Sequence, residues 1–376
     1  MQSFTHLGNA KLIFGNGKIA QLPGLVAAYG SVLILTGRHF VTTAIWSELQ
    51  RQFAAAGILV HHQLVTDEPT PEVIDTLTQF AKQQQVTAVI AIGGGSVLDA
   101  GKAVAAIVCH QGSVMDYLEG VGSRTPTAAT LPLIAVPTTA GTGSEATKNA
   151  VIGQKGERAF KKSLRHDAYI PPIALIDPQL SVGTPASITL ACAMDAFCQL
   201  LESFVSTTAT PISDALALQG IQLFAKGSRL FREDLYGTDE EPELRGQLAL
   251  AAYLSGLSLA NAGLGTVHGL AGPLGAACNI PHGAACGLLL APVFGRLLDK
   301  APLEKFSQAR AILFPQGMSD LEAIEQFSQW AAPLGRLSHH GLSADKIATV
   351  VSQANNKNSP ITLDEGEMKQ LLAQLL

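Results

Sequence analysis

Residues 87–102 read TAVIAIGGGSVLDAGK, and the change of pattern inside them decides the fold. Thr87 to Ile92 is an unbroken run of β-branched and small apolar residues, the signature of a strand buried on both faces. It ends at Gly93-Gly94-Gly95-Ser96, after which Val97 to Val108 takes helical spacing. Working outward, the same alternation recurs. Val32 to Thr36 is a buried strand followed by a helical stretch, Thr43 to Ala56. Thr70-Pro71-Glu72 is a helix start with Thr70 as N-cap and Pro71 at the first helical position. Leu133 to Val136 and Ile173 to Ile176 are further strands, the last closed by Asp177-Pro178. Strands and helices in alternation predict a mostly parallel sheet with helices on both faces, a Rossmann-like α/β domain. From Pro185 onward strand runs disappear and helical periodicity dominates, over roughly 185–206, 211–233, 241–262, 267–277, 283–299, 302–312, 319–334, 343–354 and 364–375. The Pro/Gly/Ser-rich turn segment 177–185 separates the two regimes. The expected domains are therefore 1–184, α/β, and 185–376, all-helical.

Two loops follow strand ends. Glycines 93–95 let the backbone approach a ligand, and the helix after them offers free N–H groups and a positive dipole end, which suits a pyrophosphate. The third position of G-x-G-x-x-G is Leu98, so this is not the usual dinucleotide fingerprint. The same residues also suit a tight strand-to-helix turn. The second loop, Thr138-Thr139-Ala140-Gly141-Thr142-Gly143-Ser144, places four hydroxyls and two glycines directly after a strand. Ligands sit at that end of open α/β sheets. Two such loops in one sheet favour a nucleotide site over two independent turns.

Composition narrows the partners. The 376 residues carry a net charge of −5 without a basic tail or patch, which gives nucleic-acid binding no electrostatic support. Hydrophobic residues make up 47% and charged residues 15%, which implies a large buried fraction and subunit contacts, read as a homo-oligomer, a dimer. The N-terminal MQSFTHLGNAKLIFG has no basic segment leading into an apolar core, so no signal peptide is expected. The apolar run Leu248 to Leu264 is interrupted by Tyr, Ser, Asn and Gly and reads as a buried helix, without a membrane role. Five scattered cysteines suggest no disulfide framework, and the cytoplasm is the expected compartment.

The second half contains a candidate metal constellation. Asp195 and Gln199 stand at i and i+4 in ACAMDAFCQLLE, on one face of a helix. Asp195 offers an anionic oxygen, whereas Gln199 offers only a neutral amide oxygen, a poor ligand beside imidazole. Thr266 to Gly283, TVHGLAGPLGAACNIPHG, adds two His-Gly dipeptides, at His268 and His282. Two imidazoles brought together by a fold ligate metals, although a hydrogen-bonded structural role suits each residue taken alone. Cys198, Cys278 and Cys286 lie close by in sequence, and thiolates favour Zn²⁺. Cys198, at i+3 from Asp195, points away from the i+4 face, and all five cysteines read as buried apolar residues.

Five stretches in order, GGGSVLDAGK (93–102), AVPTTAGTGSEAT (135–147), IDPQL (176–180), DAFCQLLESF (195–204) and TVHGLAGPLGAACNIPHG (266–283), resemble the iron-containing (group III) alcohol dehydrogenases, which share the dehydroquinate synthase-like fold. The resemblance covers nearly the whole chain. It implies an N-terminal α/β domain facing an all-helical metal domain, with NAD(P) in the cleft and reversible hydride transfer between the nicotinamide and a small alcohol or aldehyde. The metal polarises the carbonyl oxygen as a Lewis acid. Maleylacetate-reductase-like and dehydroquinate-synthase-like lyase activities are the alternatives on the same fold.

The resemblance places the four metal ligands at Asp195, Gln199, His268 and His282. Gln199 stands where most members have His, so the resemblance is to a branch with that replacement. Fe²⁺ is the expected ion, Zn²⁺ the alternative. A second His, four residues after the third ligand in many members, is here Gly272, which leaves more room and removes a candidate proton carrier. The cofactor phosphates are expected at Gly94, Gly95, Ser96 and Asp99. Thr138, Thr139, Thr142 and Ser144 are expected along the adenine-to-ribose side, and Lys161 at a nicotinamide ribose hydroxyl. Many NAD-preferring members carry an Asp where this chain has Gly37. With Arg38 beside it, Gly37 predicts that NADP is at least tolerated.

Overall fold

The computed structural model describes residues 3–154 and 160–376. They form two compact units, one built from Gly8–Thr139 and Ser144–Ser181, the other including Ala140–Gly143 and Val182–Leu376.

In the first unit the strands are β1 (Lys11–Phe14), β2 (Ser31–Thr36), β3 (Leu59–Leu64), β4 (Ala88–Gly93), β5 (Leu133–Pro137), β6 (Asn149–Gln154), β7 (Phe160–Arg165) and β8 (Ile173–Ile176). Six make one sheet in the order β1-β8-β5-β4-β2-β3, with every pairing parallel. The helices are α1 (Leu22–Val26), α2 (Ala44–Ala55), α3 (Pro71–Gln83) and α4 (Gly95–Ile107). Strand periodicity sorts the side chains. Leu33, Leu35, Val89, Ala91, Leu133 and Ala135 point to one face and pack with α3 and α4. Val32, Ile34, Ile90, Ile92, Ile134 and Val136 point to the other and pack with α1 and α2. Both faces are covered, which is why β2 and β4 read as continuous apolar runs. Each buried Val, Ile or Leu contributes about 1.5–3 kcal/mol relative to exposure. As expected, Thr70 caps α3, accepting the Val73 N–H, and Thr43 likewise caps α2, accepting the Trp46 N–H.

Four strands lay outside the sequence expectation. β1 and β3 are edge strands with exposed positions, so neither shows an apolar run. β6 and β7 form a separate antiparallel pair.

The second unit is helical: α5 (Ala186–Val205), α6 (Pro211–Gly227), α7 (Arg229–Arg232), α8 (Glu241–Ala262), α9 (Thr266–Ala277), α10 (His282–Lys300), α11 (Glu304–Leu313), α12 (Asp320–Ala331), α13 (Ala344–Gln353) and α14 (Glu365–Gln374). The single helix expected over 211–233 is broken at Ser228 into α6 and α7. The helix expected to reach 334 ends at Ala331, just before Pro333, and continues as a 3₁₀ turn. Among the described residues α5 is the one unbent helix long and apolar enough to cross a membrane, and 83% of its most apolar window is buried in the structure. It is the core helix of this unit. Phe197, on α5, stacks on Phe224 with ring centroids 4.4 Å apart, and Phe327 and Trp330 of α12 complete the aromatic cluster. α8 and α9 meet at 103°. Gly263, at φ 71°, makes the turn between them, in a conformation that a side chain would disfavour.

Candidate metal centre

The centre is assembled by three helices of the second unit. α5 presents Asp195, Gln199 and Glu202 at i, i+4 and i+7 on one stripe, with relative exposures of 1%, 3% and 2%. α9 brings His268 in its first turn, and α10 begins at His282. The glycine after each histidine has a packing reason. A Cβ on Gly269 would fall 1.7 Å from the Asn355 carbonyl oxygen, and one on Gly283 would fall 2.3 Å from that of Ala191, on α5. The His-Gly dipeptides thus mark where α9 and α10 press their backbones against neighbours, which fixes the imidazoles beside them.

His268 Nε2 lies 3.3 Å from Asp195 Oδ1, and His282 Nε2 lies 3.8 Å from the same oxygen. The two rings are 5.5 Å apart, centroid to centroid. Behind His268, Glu202 Oε2 accepts the Nδ1–H at 2.6 Å while Oε1 accepts the Val267 N–H at 2.6 Å. A carboxylate on Nδ1 assigns the proton to that nitrogen and leaves the Nε2 lone pair facing Asp195, the arrangement found behind metal-bound histidines. Cys286, one turn after His282 on α10, is the fourth member. Its Sγ lies 3.5 Å from His268 Nε2 and 3.7 Å from His282 Nε2. One donor atom from each of Asp195, His268, His282 and Cys286 falls within 4.8 Å of all the others.

The electrostatics favour a cation. Burial works to raise the Asp195 pKa, but His282 and His268 outweigh it and hold the carboxyl below its ordinary value. Burial works to lower the His268 pKa, and Glu202 and then Asp195 outweigh that and raise it. Burial, then Asp195, pushes the Cys286 thiol well above its ordinary range. Two buried carboxylates converge here with no Lys or Arg bonded to them among the described residues. Such a set has the chemistry of a divalent-ion site, with oxygen and nitrogen donors at its core.

Gln199 is placed on the same stripe, and its Oε1 accepts the Ser255 hydroxyl at 2.6 Å. At Gly272 a Cβ would meet nothing within 4 Å, so the position is open. The expectation that all five cysteines are buried is wrong. Cys109 is exposed, because it follows the last turn of α4 at the surface, and Cys192 and Cys278 are half-buried. Cys286 is buried but is no mere apolar filler, since its sulfur faces three ligand atoms. Cys198, one turn after Asp195, instead donates to the Cys286 carbonyl oxygen at 3.3 Å. Reading the sequence missed Glu202 and Cys286 as site residues. The signals were there: Glu202 continues the Asp195–Gln199 stripe, and Cys286 stands at i+4 from His282.

In the α/β unit, the carboxyl ends of β2, β4 and β5 lie side by side, with Thr36 opposite Ile92 and Gly93 opposite Pro137. The chain leaves β2 towards β3 on one side and β4 towards β5 on the other, so a topological switch point falls between β2 and β4. Gly37 and Arg38 follow β2, with Arg38 exposed. Gly94 caps α4, and Gly95 and Ser96 are its first residues. Gly93 itself is needed for packing, since a Cβ there would lie 2.5 Å from Val97. Thr138 and Thr139 follow β5, and a Cβ on Gly94 would lie 3.4 Å from the Thr139 hydroxyl. Asp99 accepts from the Ser144 hydroxyl at 2.5 Å and the Val151 N–H at 3.1 Å, and pairs with the buried Lys102 at 3.3 Å. Thr142 lies in the Ala140–Gly143 segment, whose glycines pack against Cys192 of α5 and Gly256 of α8 in the helical unit. Lys161 pairs with Glu68 at 2.7 Å.

Residues 9–178 match the family model for iron-containing alcohol dehydrogenase, and residues 189–376 match the model for that family's C-terminal domain. The chain belongs to the iron-containing alcohol dehydrogenase family. It is 36% identical to long-chain-alcohol dehydrogenase 1 of Geobacillus thermodenitrificans, over 95% of this chain and 93% of that one. It is 31% identical to the NAD-dependent methanol dehydrogenase of Bacillus methanolicus, over 84% of this chain and 81% of that one. The crystal structure of a 1,3-propanediol oxidoreductase superposes with a TM-score of 0.88 at 26% identity, covering 100% of both chains. Membership makes the chain an oxidoreductase of the iron-type alcohol dehydrogenases, NAD-linked and with a metal, acting on alcohols or aldehydes. It also bears out the α/β unit followed by a helical one.

Proposed function

We propose that this dehydrogenase interconverts a small alcohol and its aldehyde at a divalent metal held by Asp195, His268 and His282. The observation that carries the reading is the convergence of Asp195 Oδ1 and the two Nε2 atoms, with Glu202 fixing the tautomer of His268. The bound ion supplies Lewis acidity at the substrate oxygen. Asp195 contributes the anionic ligand, Glu202 keeps His268 Nε2 unprotonated, and Gly272 leaves room for substrate. Gly272 also carries no proton donor, so water or a cofactor hydroxyl moves the proton. Oxygen and nitrogen donors accept Fe²⁺, the ion in the family's description, or Zn²⁺, and the next donor decides between them.

Gly94, Gly95 and Ser96 receive the cofactor phosphates at the α4 N-terminus, and Thr138 and Thr139 line the ribose side. Asp99 and Ser144 act by bracing each other below that loop. Lys161 reaches a ribose hydroxyl only by leaving Glu68. Gly37 and Arg38 admit a 2′-phosphate, so NADP is accepted beside NAD. The reading extends to a cytoplasmic homodimer. Its support is five cysteines without a disulfide and the low charged fraction of 15%. Three measurements test the reading. Chelation should abolish aldehyde reduction and restored metal should return it; full turnover in verified metal-free protein refutes the metal role. Net NAD(P)H formation from simple alcohols separates a dehydrogenase from a lyase. A strong preference for NAD in kcat/KM refutes the role given to Gly37 and Arg38.

A further inference from the structure

We infer that Cys286 is a metal ligand, giving the centre an Asp/His/His/Cys donor set that selects Zn²⁺ over Fe²⁺. The inference rests on the Asp195–His268–His282 centre proposed above and adds a donor to it. Its first support is geometric. A tetrahedral ion bonded at about 2.0–2.1 Å to oxygen and nitrogen and about 2.3 Å to sulfur sets its donors roughly 3.3–3.6 Å apart. The separations here are 3.3 Å from Asp195 Oδ1 to His268 Nε2, 3.5 Å from Cys286 Sγ to His268 Nε2, 3.7 Å from Sγ to His282 Nε2, and 3.8 Å from Oδ1 to His282 Nε2. These four separations lie close to those values and all pairs fall within 4.8 Å, which places the four atoms around one ion; a substrate oxygen would join them as a fifth donor.

The second support is placement. His282 and Cys286 stand at i and i+4 on α10, as Asp195 and Gln199 do on α5, so each helix offers the centre two stacked positions. On α5 the second position offers only a neutral amide oxygen, which also accepts from the Ser255 hydroxyl. On α10 the second position is a thiol, fully buried and aimed at both imidazoles. Its backbone is held in turn, since the Cys286 carbonyl accepts from Cys198 at 3.3 Å. A buried thiol loses its proton when a cation takes the place of that proton, and the proton leaves to solvent. Thiolate is a soft donor that favours Zn²⁺ over the harder Fe²⁺.

The test is a titration of the chelator-stripped full-length protein with Co²⁺, a spectroscopic stand-in for Zn²⁺, followed by competition with Zn²⁺. Parent, Cys286→Ser, Cys198→Ser, Gln199→Ala and Asp195→Asn are compared, with circular dichroism as the check on folding. The expected result is a near-ultraviolet sulfur-to-cobalt charge-transfer band in the parent, kept in Cys198→Ser and Gln199→Ala. Cys286→Ser should lose the band while still binding Co²⁺, and its Zn²⁺ affinity should fall at least about 10–100-fold, the loss that an outer-shell partner alone causes. Co²⁺ binding without the band in the parent, abolished by Asp195→Asn, overturns the Cys286 assignment and leaves the three-residue centre standing. No stoichiometric Co²⁺ or Zn²⁺ binding by the parent overturns both.

Discussion

Glu202→Gln changes one atom and tests how His268 is prepared. The carboxylate now accepts two N–H groups at 2.6 Å each, from Val267 and from His268 Nδ1, at a site where Glu202 is 2% exposed. An amide has one oxygen, so it accepts from one donor and presents its NH₂ to the other. If Val267 keeps the oxygen, the NH₂ faces Nδ1 and drives the imidazole proton to Nε2, the atom directed at Asp195. The ligand lone pair is then lost until the tautomer is reversed. Partners of this kind are worth 10–100-fold in metal affinity, or roughly 1.4–2.7 kcal/mol. Losing one charge-assisted hydrogen bond costs the metal-free fold about 1.5–3 kcal/mol. Competition with a chromophoric chelator reads the first quantity, and urea midpoints of metal-free protein read the second. Zn²⁺ affinity within twofold of the parent, in a folded Glu202→Gln variant, refutes the argument that Glu202 sets the tautomer.

Gly269→Ala should destabilise the fold by about 1–3 kcal/mol or more, seen as a lower urea midpoint, because its Cβ would meet the Asn355 carbonyl oxygen at 1.7 Å, a backbone atom that cannot swing aside. Metal affinity should fall with it, since His268 is the preceding residue; an unchanged midpoint contradicts the packing given for the His-Gly pair. Burial pushes the Glu145 carboxyl up to about 7 from an ordinary 4.5. The folded chain therefore holds this proton more tightly than the unfolded chain does. The resulting stability is full below pH 4.5 and is lost as pH rises through about 7, by roughly 3 kcal/mol at most. Glu145→Gln should remove that slope, with midpoints near the parent's at pH 5 and above it at pH 8; parallel curves at both pH values contradict the shift.

The sheet was legible where strands are buried on both faces. β2, β4, β5 and β8 carry unbroken apolar runs, whereas the edge strands β1 and β3 do not, because an edge strand keeps one side towards water. The helix start at Thr70 was legible because capping is local, and the one at Thr43 through helical spacing. Asp195, His268 and His282 were found as candidates by type and spacing. Asp99 and Ser144 were expected at phosphate and ribose, and only the fold shows that they bond to each other.

Sequence alone determined the alternation of strand and helix in the first half, the helical second half, and the stacking of Asp195 with Gln199. These follow from periodicities of two and 3.6, which act between near neighbours. Tertiary structure alone decided that Glu202 meets His268, that Cys286 faces both imidazoles, and that Gly269 and Gly283 lie against other backbones. Each of those contacts joins residues on different elements or different turns. Their distances depend on how α5, α9 and α10 cross, and the packing of those helices sets the crossing.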